Sequence, residues 1–178
     1  MKIMATFDRS SFSEAILPLL TRLAALPGAE FVLFSVGDEP QGRRESEPVP
    51  PQTAVGLAVQ SGSAFVVPQT EPAIVETKEQ AVGRLLADIK DYLEGVGARL
   101  PPGTPFTTVG EVDSHAAQAI IKHAEKERPD VIVMATHGRT GLSYALVGSV
   151  AEKVVQAGVA PVLLVHPEEV KRKQTPAQ

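Results

Sequence analysis

Residues 131–167 read VIVMATHGRTGLSYALVGSVAEKVVQAGVAPVLLVHP. They open and close on short apolar runs, residues 131–135 and 162–165, which predict strands buried on both faces, as in a parallel sheet. Between these runs lie a loop punctuated by glycines and a helical pattern that begins at Gly148-Ser149. A buried strand, a loop, a helix and a second buried strand in this order are typical of an α/β protein.

The predicted start of that helix is the part of this stretch that offers groups for binding a ligand. Ser149 followed by Glu152 predicts a capping box, with Ser149 as the N-cap residue. A helix N-terminus carries unpaired N–H groups and about half a positive charge. Gly138 and Gly141 can adopt the positive φ angles that fold a loop into a nest of N–H donors. These residue types fit a phosphate site, and they fit equally an ordinary strand–loop–helix connection with a good cap.

The spacing of these residues resembles the nucleotide-binding branch of the universal stress protein family. That branch carries Gly, two residues, Gly, nine residues and then Gly-Ser or Gly-Thr. Here Gly138 is the second glycine and Gly148-Ser149 is the final pair, while Ala135 replaces the first glycine. The resemblance extends from residue 2 to about residue 167, apart from an insertion. It implies a Rossmann-like fold, with an open five-stranded parallel sheet of strand order 3-2-1-4-5.

The remainder of the chain alternates between strand and helix patterns. Strands are predicted at residues 2–7, 30–36 and 105–111, and helices at about 12–26, 77–96 and 114–127. Further capping residues are predicted at Ser11 (with Glu14), Thr77 (with Gln80) and Ser114. Strands that alternate with helices imply right-handed crossovers and a parallel sheet with helices on both faces.

Residues 1–167 are predicted to form a single domain, followed by a flexible tail at 168–178. A proline-rich insertion at about 38–76 interrupts the pattern, and such long segments are uncommon in compact domains. Its middle, residues 54–67, is apolar enough to pack against another apolar surface. The insertion is therefore either a partial lid or dimer contact, or a solvated segment with a little local packing.

Two residues at predicted strand ends are candidates for contact with a nucleoside. Asp8 follows the first strand, and ligands of open α/β sheets bind at the carboxyl ends of strands. From the residues alone, Asp8 either meets a ligand or caps a helix, and Val36 is either a contact or core packing. The resemblance implies that Asp8 touches the nucleoside end of ATP and that Val36 packs on adenine. Ser35 stands where the family usually has His, and Thr6 where it often has Pro.

The resemblance also places ligand contacts around the glycine loop. It implies contacts from Met134, Ala135, His137, Gly138, Arg139, Gly148, Ser149 and Val150. Backbone groups at Gly138 and residues 148–150 would hold the phosphates, with Mg²⁺ bridging them. Arg139 either contacts phosphate or is simply solvated. The pattern does not choose among ATP, AMP and cyclic AMP.

Composition argues against several other classes of function. The net charge is −4, 4% of residues are aromatic and there is no Trp, so nucleic-acid binding is not expected. Without Cys, the chain has no disulfide, thiolate metal site or Cys nucleophile. No apolar run approaches the roughly 20 residues of a membrane helix, and no signal segment is evident, so we expect a cytoplasmic protein.

These observations predict an ATP-binding universal stress protein that acts as a nucleotide-dependent regulator of the stress response. No residue is evidently placed as a general base, so at most slow hydrolysis or self-phosphorylation is expected. The apolar edge strand from Pro161 to His166 favours a homodimer, since an open edge invites pairing with a second chain. The alternatives are a weak ATPase and a dimerisation adaptor of the same family that binds no nucleotide.

Overall fold

The computed structural model describes residues 1–40, 77–136 and 148–166 of the 178-residue chain. Most of the predicted insertion, most of the glycine loop and the predicted tail lie outside these residues. The described elements are β1 (Lys2–Phe7), a 3-10 helix (Ser13–Ile16), α1 (Leu17–Leu23), β2 (Glu30–Gly37), α2 (Lys78–Gly97), β3 (Phe106–Val112), α3 (Ala116–Glu127), β4 (Val131–Ala135), α4 (Ser149–Ala157) and β5 (Val162–Val165).

The described strands form one five-stranded sheet in the order β3-β2-β1-β4-β5, and every neighbouring pair is parallel. This confirms the predicted α/β fold and strand order. The chain steps outward from β1 to β2 and β3, and then returns to place β4 and β5 on the other side of β1. Such a reversal leaves a crevice at the carboxyl ends of the central strands.

Alternate residues of the central strands pack on opposite faces of the sheet, which explains why their sequences are continuously apolar. On one face, Ile3, Ala5 and Phe7 pack with the 3-10 helix, α1 and α2. On the other face, Met4 and Phe34 pack with α3 and α4. Helices therefore cover both faces, as predicted.

The first helical segment differs from the prediction. We expected one helix over about 12–26 with Ser11 as its cap, but a 3-10 helix begins at Ser13 and α1 ends at Leu23. Neither segment has a side-chain cap. The reason lies in tertiary contacts, because the Glu14 carboxylate bonds to Tyr92 and Arg99 instead of reaching back to Ser11.

The other two predicted caps have opposite outcomes. Thr77 and Gln80 form the capping box that their spacing predicts, with both reciprocal hydrogen bonds present. Ser114 is not a cap, because α3 begins at Ala116 and has no side-chain cap at its N-terminus. Instead, the Asp113 carboxylate accepts a hydrogen bond from the His115 backbone N–H at 2.7 Å, and this turn delays the start of the helix.

Candidate functional site

A cleft of about 580 Å³ lies at the carboxyl edge of β1, β2 and β4. The N-terminal turns of α3 and α4 and the start of the 3-10 helix also line it, so it occupies the crevice that the strand order creates. The lining residues are Thr6, Phe7, Asp8, Ser13, Phe34, Val36, Ala116, Ile120, Met134, Ala135, Gly148, Ser149, Val150 and Ala151. Its volume lies within the range of small-molecule sites, roughly 300–1,000 Å³.

The cleft brings together most of the site residues that the sequence suggested. Asp8 directly follows β1 and Val36 lies on the neighbouring β2. The other candidates, Met134, Ala135, Gly148, Ser149 and Val150, come from the segment around β4 and α4. His137, Gly138 and Arg139 lie outside the described residues. The two groups of candidates are more than ninety positions apart in sequence and share one cavity only in the folded chain.

The walls of the cleft divide it into an apolar part and a polar part. Phe34, Ile120 and Met134 are buried in the core behind it and present apolar surface. Asp8 and Ser149 are exposed at its margin. An arrangement of this kind suits a ligand with a flat apolar part and a polar or charged part.

Asp8 holds a turn as well as lining the cleft. Its Oδ1 atom accepts hydrogen bonds from the backbone N–H and the hydroxyl of Ser10, at 2.9 Å and 2.5 Å. Arg9 between them adopts a left-handed conformation with φ 64°. The carboxylate therefore stabilises its own loop in the manner of an Asx turn, and it does not cap a helix.

The N-terminus of α4 is arranged differently from the predicted capping box. Gly148, with φ −54° and ψ 149°, is the N-cap residue, and Ser149 is the first residue of the helix. No side-chain cap bond is present, and the Glu152 carboxylate accepts a bond from Gln156 at 3.2 Å. The prediction of Ser149 as the cap was therefore wrong. The shift by one residue leaves the Ser149 hydroxyl and the N–H groups of the first turn at the cleft wall, with no capping side chain among the residues that the structure describes.

Several lining residues were not singled out in the sequence. Ser13 is buried, lies in the 3-10 helix and lines the cleft. Ala116 and Ile120 of α3 also line it. Their place in the predicted fold could have identified them as lining residues, because the helix that follows β3 starts at the same edge of the sheet as the ligand crevice.

The described residues contain no group of three or more His, Cys, Asp or Glu side chains that could hold a metal ion. In the same part of the chain, no helix has the length and apolar character to span a membrane. The Mg²⁺ expected from the sequence would be held by phosphates of a ligand, and this expectation stays a prediction.

Comparison with known proteins assigns the family. A sequence profile described as the universal stress protein family matches residues 1–166. The chain belongs to this family. The universal stress protein MJ0577 of Methanocaldococcus jannaschii is 29% identical to it over 164 residues, which cover 92% of this chain and 93% of that protein. MJ0531 of the same organism is 51% identical over 49 residues, which cover 28% of this chain and 29% of that protein.

Solved structures of universal stress proteins share the fold. The structure of MJ0577 matches with a TM-score of 0.63 and 25% identity, covering 93% of this chain and 94% of that chain. A universal stress protein in complex with cyclic AMP matches with a TM-score of 0.56 and 14% identity, covering 94% of this chain and 97% of that chain. These likenesses agree with the sheet order described above.

Proposed function

We propose that this universal stress protein binds an adenine nucleotide, ATP foremost, in the cleft at the carboxyl edge of β1, β2 and β4. Its function would be nucleotide-dependent regulation rather than rapid catalysis. The observation that supports this most is the placement of Asp8, Val36 and the uncapped start of α4 around one cavity. These groups would serve the two ends of a nucleotide.

The polar groups of the cleft match the charge of a nucleotide. The start of α4, from Gly148 to Val150, offers backbone N–H groups and the positive end of the helix dipole to a phosphate chain. The Ser149 hydroxyl adds a donor at the same end. Asp8, on the neighbouring strand end, is an acceptor suited to ribose hydroxyls. Mg²⁺ would neutralise the phosphates and would take its ligands from them.

The apolar wall matches the base. Val36, Phe34 and Ile120 present apolar side chains on the β2 and α3 side of the cleft. A planar adenine ring gains stability from burial against such surface, while the ends of the strands can supply backbone groups to its polar edge. One solved relative holds cyclic AMP, which supports adenine nucleotides as the ligand class.

The composition of the described cleft favours binding over turnover. Among its described lining residues, Asp8 is the one ionisable side chain, and its Oδ1 atom is engaged by Ser10. We assign this same carboxylate to the ribose hydroxyls, so no second ionisable side chain among the described lining residues is left to act as a general base. This composition supports a binding function with at most slow hydrolysis over the alternative of an enzyme, a weak ATPase.

We also propose that the chain forms a homodimer through β5. This strand is an edge of the sheet, and Leu163 on it is 39% exposed. An apolar edge strand is a ready site for strand pairing. The alternative of a dimerisation adaptor includes the same pairing. It differs from our proposal only in that the cleft binds no nucleotide.

Thermal unfolding with Mg-ATP, AMP and cyclic AMP tests the nucleotide proposal. A ligand present at a hundredfold over its Kd should stabilise the chain by about 2.7 kcal/mol, which raises the Tm by several degrees. The purified protein should also be denatured and analysed for released nucleotide, because a ligand that is already bound would mask the shift in Tm.

Gly148→Val should abolish the shift by placing a branched side chain at the phosphate end of the cleft. Gly95→Val is the matched control, since Gly95 is exposed on α2 with no atom near its missing Cβ. Its nucleotide-induced shift should equal that of the unsubstituted chain. If no nucleotide shifts the Tm and none is released, the adaptor function replaces our proposal.

A further inference from the structure

The carboxylate of Glu14 is held by two side chains from a different part of the chain. The Tyr92 hydroxyl donates to Glu14 Oε1 at 3.3 Å, and Arg99 Nη1 donates to Glu14 Oε2 at 2.6 Å. Tyr92 lies on α2, and Arg99 follows the end of that helix. We call these three residues the Glu14 bracket. The bracket ties the 3-10 helix to α2 through both oxygens of one carboxylate.

A second set of hydrogen bonds leads from the 3-10 helix to the cleft. The backbone N–H of Ser13 donates to Ser10 Oγ at 3.3 Å, and the Ser13 hydroxyl donates to the Ser10 carbonyl at 2.9 Å. Ser10 in turn donates its backbone N–H and its hydroxyl to Asp8. Residues 8–16, which we call the Asp8 loop, are therefore connected from the Glu14 bracket to the cleft carboxylate.

The surroundings of Tyr92 place its hydroxyl close to this loop. Burial raises the pKa of Tyr92 to about 12, the Ser13 hydroxyl opposes the increase, and the negative charges of Glu14 and Asp8 add to it. The Tyr92 ring also packs edge-on against Phe7, with ring centroids 6.3 Å apart. Phe7 immediately precedes Asp8, so Tyr92 contacts a residue on each side of Asp8 in the sequence.

We propose that Glu14, held by Tyr92 and Arg99, is a positioning residue that fixes Asp8 for recognition of the nucleoside. This inference rests on the proposed function of the cleft. Asp8 stands on an exposed loop, and a loop that must order itself on binding loses affinity. The Glu14 bracket anchors the Asp8 loop to a twenty-residue helix, so the loop is already ordered before a ligand binds and that loss of affinity is avoided.

Binding measurements with two probes separate this role from a structural one. Mg-ATP carries the nucleoside that Asp8 would contact, whereas tripolyphosphate carries only the phosphate chain. Tyr92→Phe removes a hydrogen bond to a carboxylate, and Glu14→Gln removes the negative charge that Arg99 contacts. Each should weaken ATP binding by about 10-fold or more. Both variants should leave tripolyphosphate affinity unchanged. Lys90→Ala, which removes an exposed ion pair with Glu94 on the same helix, is the matched control and should alter neither affinity.

A double-mutant cycle with Asp8→Ala decides whether the effect passes through Asp8. If Tyr92 acts by positioning Asp8, Tyr92→Phe should have no further effect on ATP affinity once Asp8 is removed. Equal losses with and without Asp8, or losses for both probes, would overturn the inference and leave a purely structural bracket. If the unsubstituted chain binds no nucleotide, the proposed function fails and this inference with it. If that chain binds ATP and the bracket variants bind it equally well, only the inference fails.

Discussion

Ser149 shows how a shift of one residue changes what a side chain can do. As an N-cap residue, its hydroxyl would be committed to a backbone N–H of the same helix. As the first residue of α4, with Gly148 as the N-cap, it makes no such bond and lies exposed at the cleft. The hydroxyl is therefore available to a ligand and contributes little to the stability of the helix.

Ser149→Ala should leave the free energy of unfolding of the free protein within about 0.5 kcal/mol of its original value, as for a surface substitution, and should weaken ATP binding. Thr77→Ala should do the reverse, because Thr77 forms a true capping box on α2, and its loss should cost about 1 kcal/mol of stability. Chemical unfolding measures the stability of both variants and ATP titration measures their affinity, so the two experiments together test these opposite expectations. A loss of stability in Ser149→Ala would restore the capping role and contradict the structure.

Tyr92 predicts a pH dependence of stability at high pH. Its pKa is raised from 10.0 to about 12, mainly by burial, so the fold favours the neutral phenol. The stability that it contributes is fully present below its unfolded pKa and is lost as the pH rises through its folded pKa. The difference in unfolding free energy between the unsubstituted chain and Tyr92→Phe should therefore shrink from pH 10 to pH 12. Denaturant unfolding of the pair across this range measures it, and a constant difference would refute the assignment.

At the scale of elements, α2 lies so close to the sheet that glycines are required beneath it. A Cβ on Gly110 of β3 would lie 2.7 Å from Ile89 Cγ2 and 3.3 Å from Ile89 Cβ, and Ile89 is fully buried. A Cβ on Gly37 of β2 would lie 2.9 Å from Leu85 Cδ2. The close approach lets Ile89 and Leu93 fill the space over β2 and β3.

Gly110→Ala should therefore destabilise the chain by about 1–3 kcal/mol, because the added methyl overpacks the contact with α2. Gly95→Ala on the same helix meets no atom and should stabilise it by up to about 1 kcal/mol through helix propensity. Paired thermal or denaturant unfolding curves report both signs. Equal stabilities for Gly110→Ala and the unsubstituted chain would mean that α2 sits farther from β3 than described.

The beginnings of helices were predicted less well than their existence. The Thr77 cap is local, since all of its partners lie within one turn of the chain, and it was predicted correctly. Glu14 fits the same local pattern but bonds to Tyr92 and Arg99, which are distant in sequence. A capping residue that has a stronger partner elsewhere in the fold does not cap, and sequence spacing alone does not reveal that partner.

At the scale of the whole molecule, the sheet ends in two edges of different character. The β3 edge carries Phe106, which is 38% exposed and packs against Gly97, and the β5 edge carries Leu163, which is 39% exposed. Exposure alone therefore does not distinguish them. Our proposal places a dimer contact at β5, and this makes the two edges a matched pair for an experiment.

Leu163→Lys should convert a homodimer to monomers, since a two-fold pairing of β5 would bring the two added charges close together. Phe106→Lys places the same charge at equal exposure on the other edge and should leave the dimer intact. Analytical ultracentrifugation over a range of concentrations distinguishes the two states. A monomeric unsubstituted chain, or dissociation by Phe106→Lys instead, would rule out pairing through β5.

The sequence by itself determined the elements and the family. Mostly apolar runs predicted β1, β2 and β4 to within a residue or two, because burial on both faces favours apolar side chains at nearly every position. The Gly148-Ser149 spacing carries the family resemblance, and that resemblance supplied the strand order that the structure confirms. The patterns that mark strands and helix starts depend on the backbone geometry of a few consecutive residues. They can therefore be read from the sequence alone.

Only the tertiary structure decided which residues meet. Asp8, Val36 and Gly148 line one cleft because β2 and β4 both pair with β1, and Ala116 and Ile120 join them because α3 starts at the same edge. The structure also moved the N-cap of α4 from Ser149 to Gly148 and directed Glu14 toward Tyr92 and Arg99. The cleft and the contacts of Glu14 depend on residues far apart in the chain, which meet only when the sheet and its helices pack.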